Sequence, residues 1–228
     1  MLRNWLETEK LKLRTMDRTK VAEYIWQYYK LWIIGIVGAL CIGVYLLILS
    51  LSTPNENWLY VCFANVPPGS VLKEEGEVHQ AYADYAGFDL REKNLVFDTN
   101  CYCNPSEKTY GNNYYNKLVA LLDGGVLDFL VMEIEDLQAI GSTGRLLDLE
   151  GAYFQLDPRW KDRLIYCENT TSDYEKVLVP VAVDLSGSFL TEANGPYPEG
   201  CAVSVGAFTS RPEELERFLT FFLEGGNP

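Results

Sequence analysis

The longest apolar segment of the chain is Leu31 to Leu51, twenty-one consecutive residues without a charge. A helix rises about 1.5 Å per residue, so a helix of this length covers the roughly 30 Å hydrocarbon core of a bilayer. The segment therefore predicts a single transmembrane helix in contact with the lipid bilayer. It divides the chain into an N-terminal arm, residues 1–30, and a C-terminal domain, residues 52–228.

A cleaved secretory signal and a lipoprotein signal are the alternatives to an uncleaved anchor. The apolar core of a secretory signal has about 7 to 15 residues and follows a short basic segment, whereas this run is longer and follows thirty residues. A lipid-attachment cysteine needs a small residue before it at the end of the run, but Leu40 precedes Cys41 and the run continues. We therefore expect an uncleaved anchor, with cleavage near Ser50–Ser52 as the main alternative.

Beyond the anchor, short apolar segments alternate between strand-like and helix-like patterns. Short apolar runs bounded by Pro, Gly or Asn are typical of buried strands. We predict strands at Trp58–Asn65, Asn94–Cys101 and Phe129–Ile134, and helices at Glu75–Gly87 and Asn112–Leu122. This alternating order is typical of a parallel sheet covered by helices. The predicted fold class is α/β: a single transmembrane helix followed by a three-layer domain with a mostly parallel sheet.

The predicted helices have apolar faces at helical spacing. In the first helix of the domain this face consists of Val78, Ala81, Tyr82 and Tyr85, and in the second of Tyr115, Leu118 and Leu122. A further helix is predicted near the C-terminus, where Ser210 and Glu213 have the spacing of a capping box and Pro212 suits the first turn. Its apolar face consists of Leu215, Phe218, Leu219 and Phe222.

Charge predicts how the chain is oriented across a membrane. Residues 1–30 contain seven Lys or Arg and four Asp or Glu, a net charge of +3, which leaves −16 for the domain in a chain of net charge −13. The positive-inside rule places the basic, amphipathic arm in the cytoplasm and the domain outside it. An acidic domain also argues against binding to nucleic acid.

The C-terminal domain has an odd number of cysteines, namely Cys62, Cys101, Cys103, Cys167 and Cys201. At least one is unpaired unless two chains are linked, and both buried thiols and a disulfide between separate elements remain open. The spacing of Cys101 and Cys103 is not that of a zinc site, and the only histidine is His79. We expect no metal, and we interpret His79 as a surface residue.

Three segments resemble the extracellular solute-binding proteins of ABC importers. In the segment from Asn116 to Tyr153, a helix ends at a small-residue turn, a strand starts with Asp, and a G-x-L-x-x-L sequence follows. The matching positions are Gly124, Gly125, Asp128, Gly144, Leu146 or Leu147, and Leu149. Leu178–Ser188 is similar to the strand that crosses between the lobes of that family. Cys201–Gly226 is similar to its returning strand and following helix.

The resemblance implies one lobe of a type 2 periplasmic-binding-protein-like fold on a bacterial cell membrane, with a transporter permease or another membrane protein as a partner. Members of that family have two lobes that close on a ligand, and the second lobe lies between the crossing strand and the returning strand. Here the residues Ser186–Gly200 occupy that interval and are rich in Gly and Pro. They are too few for a sheet-and-helix lobe, so we expect a loop.

Ligands of open α/β sheets bind beyond the carboxyl ends of the strands. The polar residues predicted at those ends are Asn65, Asn100, Glu133, Glu135, Asp184 and Ser186. Glu133 and Glu135 have the chemistry of an acid–base pair, but acids are also common where a helix begins. The sequence contains no motif of a hydrolase, a phosphate-binding loop or a metalloprotease, so we expect neither an enzyme nor a cofactor.

Two functions are compatible with the pattern. One is an accessory or interaction module that keeps a solute-binding-like lobe on the outer side of the membrane without a full ligand clamp. The other is a receptor for a sugar or peptide that delivers to, or senses for, an ABC transporter. A single lobe lacks the enclosure that lets a pocket bury most of a small ligand, which favours the first function.

Overall fold

A computed structural model describes residues 17–52, 56–67, 69–103, 113–170 and 176–225. The chain forms two compact units, Met1–Thr53 and Pro54–Pro228. The predicted N-terminal arm lies largely outside the described residues, as does most of the loop that follows Cys103.

The first unit contains one long helix, α1, over Arg18–Ser52. Its segment Trp26–Ile48 has a mean hydropathy of 2.6 and is long and apolar enough to cross a membrane. Large apolar side chains within this segment are exposed, among them Leu31, Ile42 and Leu47. The helix is compatible with a membrane anchor or with a signal sequence, and it includes the predicted span.

The second unit is an α/β domain with six strands. The strands are β1 (Asn57–Ala64), β2 (Asn94–Cys101), β3 (Phe129–Met132), β4 (Leu164–Thr170), β5 (Lys176–Asp184) and β6 (Ala202–Val205). The α-helices are α2 (Glu77–Ala86), α3 (Asn113–Asp123), α4 (Ile134–Gly141) and α5 (Glu214–Thr220). Turns of 3-10 helix cover Pro158–Arg163 and Phe189–Thr191, and a π-helical turn, Phe221–Gly225, follows α5.

The strands form one mixed sheet in the order β2-β1-β3-β6-β5-β4. Strand β1 is parallel to both β2 and β3, whereas β6 is antiparallel to β3 and to β5, and β4 is antiparallel to β5. Four strands, β1, β2, β3 and β5, therefore run in one direction. The predictions of an α/β domain and of a mostly parallel sheet are confirmed at this level of detail.

Each face of the sheet has its own hydrophobic core. Alternate residues of β1 contribute to the two cores in turn. Leu59, Val61 and Phe63 belong to the first cluster, and Cys62 and Ala64 belong to the second. Helices α2 and α5 cover the first face with Val78, Tyr82, Leu215, Phe218 and Leu219. Helices α3 and α4 cover the second face with Leu118, Leu122, Leu137 and Ile140. The domain therefore has three layers.

The first core is unusually rich in aromatic rings. Tyr82 is fully buried and lies with its ring centroid 5.8 Å from Phe218 and 5.1 Å from Phe221. Phe218 is also 4.4 Å from Phe222. The apolar face predicted for the C-terminal helix is buried here. In α2, by contrast, Tyr85 is 49% exposed, so the predicted stripe extends beyond the buried face at that end.

An ion pair between Asp128 and Arg211 lies at the edge of the sheet where β1 and β3 begin. Asp128 is fully buried and accepts hydrogen bonds from the Tyr60 N–H, at 2.8 Å, and from the Thr209 hydroxyl. Its Oδ1 is 3.2 Å from Nε of Arg211, whose guanidinium also donates to the carbonyl oxygens of Asn57 and Trp58. Asp128 therefore joins β1 to the loop that follows β6.

Three local predictions are wrong. His79 is only 4% exposed, because Nε2 lies 2.8 Å from the Leu95 carbonyl oxygen and the ring packs edge-on against Phe97. Strand β3 ends at Met132, since Glu133 is the N-cap of α4. Helix α5 begins at Glu214 without a side-chain cap, so the capping box is not formed.

All five cysteines of the domain are free thiols and are buried. Of the two alternatives left open by the sequence, buried thiols are therefore the one found. The interval between β5 and β6 contains turns and one 3-10 helix, as expected of a loop, yet Leu190 and Tyr197 in it are almost completely buried. This loop belongs to the core of the domain.

Candidate functional site

The candidate site is the edge of the sheet at which β1, β2, β3 and β5 end, called the carboxyl edge below. Asn65, Asn100, Glu133 and Asp184 lie at or directly after the ends of these four strands. The strand order separates Asp184 from Glu133 by the start of β6. The residues predicted from the sequence therefore share one edge, but they do not form one cluster.

Asn65 joins three segments of this edge, and both polar atoms of its side chain are engaged within the domain. It adopts a left-handed conformation, with φ 63°, which asparagine tolerates better than most residues. Its Nδ2 donates to the Cys103 carbonyl oxygen at 2.9 Å and to Asp136 Oδ2 at 3.1 Å, while its Oδ1 accepts from the Cys103 N–H at 2.8 Å. Its role is to position the backbone after β2.

Asn100 is exposed at the end of β2, and its N–H donates to Asp98 Oδ1 at 2.9 Å. Asp98 also accepts hydrogen bonds from Tyr60 and Lys117 on the second face of the sheet. Burial opposes ionisation of Asp98, but the hydrogen bonds from Lys117, Asn100 and Tyr60 outweigh it and lower the pKa of this carboxyl. Burial and the Asp98 carboxylate raise the pKa of the Tyr60 hydroxyl. Asp98 therefore forms an ion pair with Lys117 and accepts a further hydrogen bond from Tyr60.

A depression of about 380 Å³ lies at the start of α4 and contains two of the three predicted acids, Glu133 and Glu135. It is lined by Glu133, Ile134, Glu135, Asp136, Glu199 and Gly200. Burial and the neighbouring carboxylates Asp136 and Glu199 raise the pKa of Glu133. Burial also raises the pKa of Asp136, against the hydrogen bond from Asn65. The depression therefore favours cationic over anionic groups.

Asp184 and Ser186 form a local turn at the end of β5. Asp184 Oδ1 accepts from the Ser186 N–H at 2.8 Å and from its hydroxyl at 2.7 Å. Arg163 donates to the carbonyl oxygens of Asp184, at 3.3 Å, and Ser186, at 2.8 Å. These contacts turn the chain at the start of the loop to β6.

Tyr197, in that loop, fills the crevice between β1 and β3. Strand β1 lies between β2 and β3. The connection after β1 leads to β2 on one side, whereas the connection after β3 leads to strands on the other side. The switch point of the sheet therefore lies between β1 and β3. The Tyr197 hydroxyl is 2.7 Å from the Ala64 carbonyl oxygen and 3.2 Å from that of Val131. Its side chain is 1% exposed, and burial raises the pKa of its hydroxyl.

The described residues contain no arrangement suited to metal binding, since no group of three His, Cys, Asp or Glu side chains has the required geometry. His79 contacts Leu95, near the beginning of β2, and so lies away from the carboxyl edge. Sequence reasoning missed Asp136, Tyr197 and Glu199. Asp136 directly follows the predicted Glu135 in the sequence, whereas nothing local to Tyr197 indicates that it contacts β1.

Comparison of the chain with models of known protein families, with curated proteins and with solved structures found no match.

Proposed function

We propose that the protein is a membrane-anchored module whose domain lies on the outer side of the membrane and binds another protein, not a small solute. The observation that carries this proposal is the position of Tyr197. The crevice in which an open α/β sheet would bind its ligand holds a side chain of the chain itself.

Tyr197 removes both the space and the polar groups that a ligand would need. The carbonyl oxygens of Ala64 and Val131, near the ends of β1 and β3, both lie within hydrogen-bonding distance of the Tyr197 hydroxyl, at 2.7 Å and 3.2 Å. A ligand could reach them only by displacing a residue that is 1% exposed. Small-molecule sites usually bury about 70 to 90% of the ligand, and the shallow edge that remains does not supply such an enclosure.

The strand arrangement supports a relationship to one lobe of a solute-binding protein. Strands β5 and β6, which correspond to the crossing and returning strands of that resemblance, are neighbours and antiparallel. The loop between them takes the place of the second lobe and packs on the sheet through Leu190 and Tyr197. This arrangement suits a lobe that serves as a scaffold after the loss of its ligand clamp.

A protein partner could bind the domain at the outer strands of its sheet or at exposed apolar side chains near one of those strands. Strands β2 and β4 are the outer strands of the sheet, and an extended segment of a partner can pair with such an edge. Tyr166 on β4 and Leu178 on the neighbouring β5 are 42% and 72% exposed. With α1 as the anchor in the bilayer, a transporter permease or another membrane protein is the partner that we propose.

The depression lined by Glu133 and Glu199 favours a second candidate function, a receptor for a small cationic solute. It lies at the carboxyl edge and is not filled by Tyr197. Three of its four acids are exposed, and no aromatic side chain is among its lining residues. We rank this candidate second, because it offers charge without enclosure.

Photo-crosslinking in living cells tests the interaction function. A benzophenone amino acid is placed at Tyr166 beside the sheet edge or at Glu199 on the carboxyl edge, and the matched control is the same substitution at Tyr153, a loop residue that is 98% exposed. We expect one discrete adduct with a membrane protein from at least one of the first two positions and none from Tyr153. Absence of a discrete adduct from both positions would contradict the proposal.

A further inference from the structure

Three thiols are buried together on the second face of the sheet. Cys62 on β1, Cys101 at the end of β2 and Cys103 just after it all belong to the second hydrophobic cluster and are at most 2% exposed. The thiols of Cys62 and Cys101 are in hydrogen-bonding contact. Two thiols in contact on neighbouring strands are an arrangement that a two-electron oxidation can convert into a covalent link.

A bulge in β2 places the two thiols near each other. Cys62 is opposite Asp98 and Ala64 is opposite Cys101, so two steps along β1 correspond to three along β2. Such an extra residue bends a strand locally and leaves one residue unpaired. Cys62 and Cys101 are therefore diagonal neighbours, and the irregular backbone of the bulge can absorb the shift that a disulfide of normal geometry requires.

The two sulfur atoms differ in acidity. The hydrogen bond from Cys62 lowers the pKa of Cys101 and, with a smaller contribution from Lys117, outweighs burial and the Asp98 carboxylate, which raise it. The same hydrogen bond, together with burial, raises the pKa of Cys62. Cys101 is therefore the better nucleophile of the pair, because the thiolate is the reactive form of cysteine.

We propose that Cys62 and Cys101 are a redox pair that forms an intramolecular disulfide when the protein meets a disulfide oxidant such as glutathione disulfide. The Cys101 thiolate attacks one sulfur of the oxidant, forming a mixed disulfide and releasing one glutathione thiolate. The Cys62 sulfur then attacks the Cys101 sulfur and releases the second glutathione, while the proton of Cys62 passes to a departing thiolate. Two protein thiols and one oxidant disulfide give one protein disulfide and two glutathione thiols.

The other cysteines are less suited to this reaction. Burial and the neighbouring Cys101 and Asp136 raise the pKa of the Cys103 thiol to about 12, and its backbone is fixed by Asn65. Cys201 lies in the first hydrophobic cluster, on the opposite face of the sheet. Cys167 lies beside Gly141 of α4, away from β1 and β2.

The test uses the full chain in detergent micelles, equilibrated over a series of glutathione and glutathione disulfide ratios. Free thiols are then alkylated in denaturant, the protein is digested with chymotrypsin, and the peptides are analysed by mass spectrometry without reduction. Cleavage after Tyr102 separates Cys101 from Cys103, so their pairings can be distinguished. We expect a linked peptide containing Cys62 and Cys101, two fewer alkyl groups on the protein than in the reduced sample, and disappearance of the link on reduction.

Two variants complete the test. Cys62→Ser should abolish the intramolecular link. It should leave Cys101 as a mixed disulfide with glutathione, which adds about 305 mass units to the protein. Cys201→Ser, the control, should leave the link unchanged. If Cys62 and Cys101 of the wild-type protein are recovered in alkylated form at every ratio of glutathione to glutathione disulfide, the proposal is overturned. A predominant link from Cys101 to Cys103 would overturn it as well, and neither result depends on the folding of a variant.

Discussion

Replacing Asp128 by alanine tests whether the buried ion pair is the main polar connection at the edge where β1 and β3 begin. The substitution removes the acceptor of the Tyr60 N–H, the acceptor of the Thr209 hydroxyl, and the counter-ion of Arg211. The first and last of these groups are held in place by the strands and by hydrogen bonds to backbone carbonyls. They cannot easily find new partners.

The expected cost follows from the burial of the two charges. Breaking a buried ion pair by removing one partner costs about 3 to 5 kcal/mol, because the other charge is left without compensation. Asp128 is 0% exposed, whereas Arg211 is 30% exposed, so water can solvate part of the guanidinium. We therefore expect about 3 to 4 kcal/mol of lost unfolding free energy, a large share of the roughly 5 to 15 kcal/mol typical of a domain.

Urea unfolding of residues 54–228, followed by circular dichroism, measures this cost. The matched control is Asp123→Ala, which removes an exposed partner of Arg145 and should change the free energy by less than about 1 kcal/mol. A loss below about 1 kcal/mol for Asp128→Ala, with an unchanged slope against urea, would refute the importance that we assign to the pair.

Phe218→Ala should cost about 3 to 5 kcal/mol in the same unfolding assay, because the ring is fully buried among other aromatic rings, whereas Tyr153→Ala should have little effect. The lowered pKa of Asp98 stabilises the fold at pH values above its ordinary pKa of 3.8, and this contribution is lost as the pH falls through the lower folded-state pKa. Asp98→Asn should therefore lower the free energy of unfolding at pH 7, and the difference in this free energy between the variant and wild type should shrink toward pH 2. A difference that stays constant with pH would contradict this. Protease added to intact cells should digest the domain from residue 52 onward and spare residues 1–30, and a released product starting near residue 52 would show cleavage of the anchor.

The elements built from local patterns were the predictable part of this fold. Strand β2 has the predicted bounds Asn94–Cys101, since its apolar residues are flanked by polar loops that fix both ends. The run that predicts β3 is ambiguous at its end, because Ile134 is apolar but is the first residue of α4. Strand β4 was missed, since only its first four residues are apolar and its partner β5 lies beyond it in the chain.

The candidate site was predictable only as a set of strand ends. Parallel strands bring their carboxyl ends together, so Asn65, Asn100, Glu133 and Asp184 share an edge. Which of them remain free depends on contacts between distant parts of the chain. The contact between Tyr197 and Ala64 spans 133 residues, and no local periodicity carries information about it. His79 was misplaced for a related reason, because a partner for its ring, Leu95, lies in the next element.

The central claim is that this domain does not close around a small ligand. Calorimetry combined with X-ray scattering on residues 52–228 tests it most directly. The protein is titrated with mixed amino acids, sugars and short peptides, and the radius of gyration is compared before and after addition. Because Tyr197 fills the crevice and the described residues of the domain form one sheet, we expect at most weak binding and an unchanged radius of gyration. Sub-micromolar binding with a ligand-induced decrease in the radius of gyration would contradict the account.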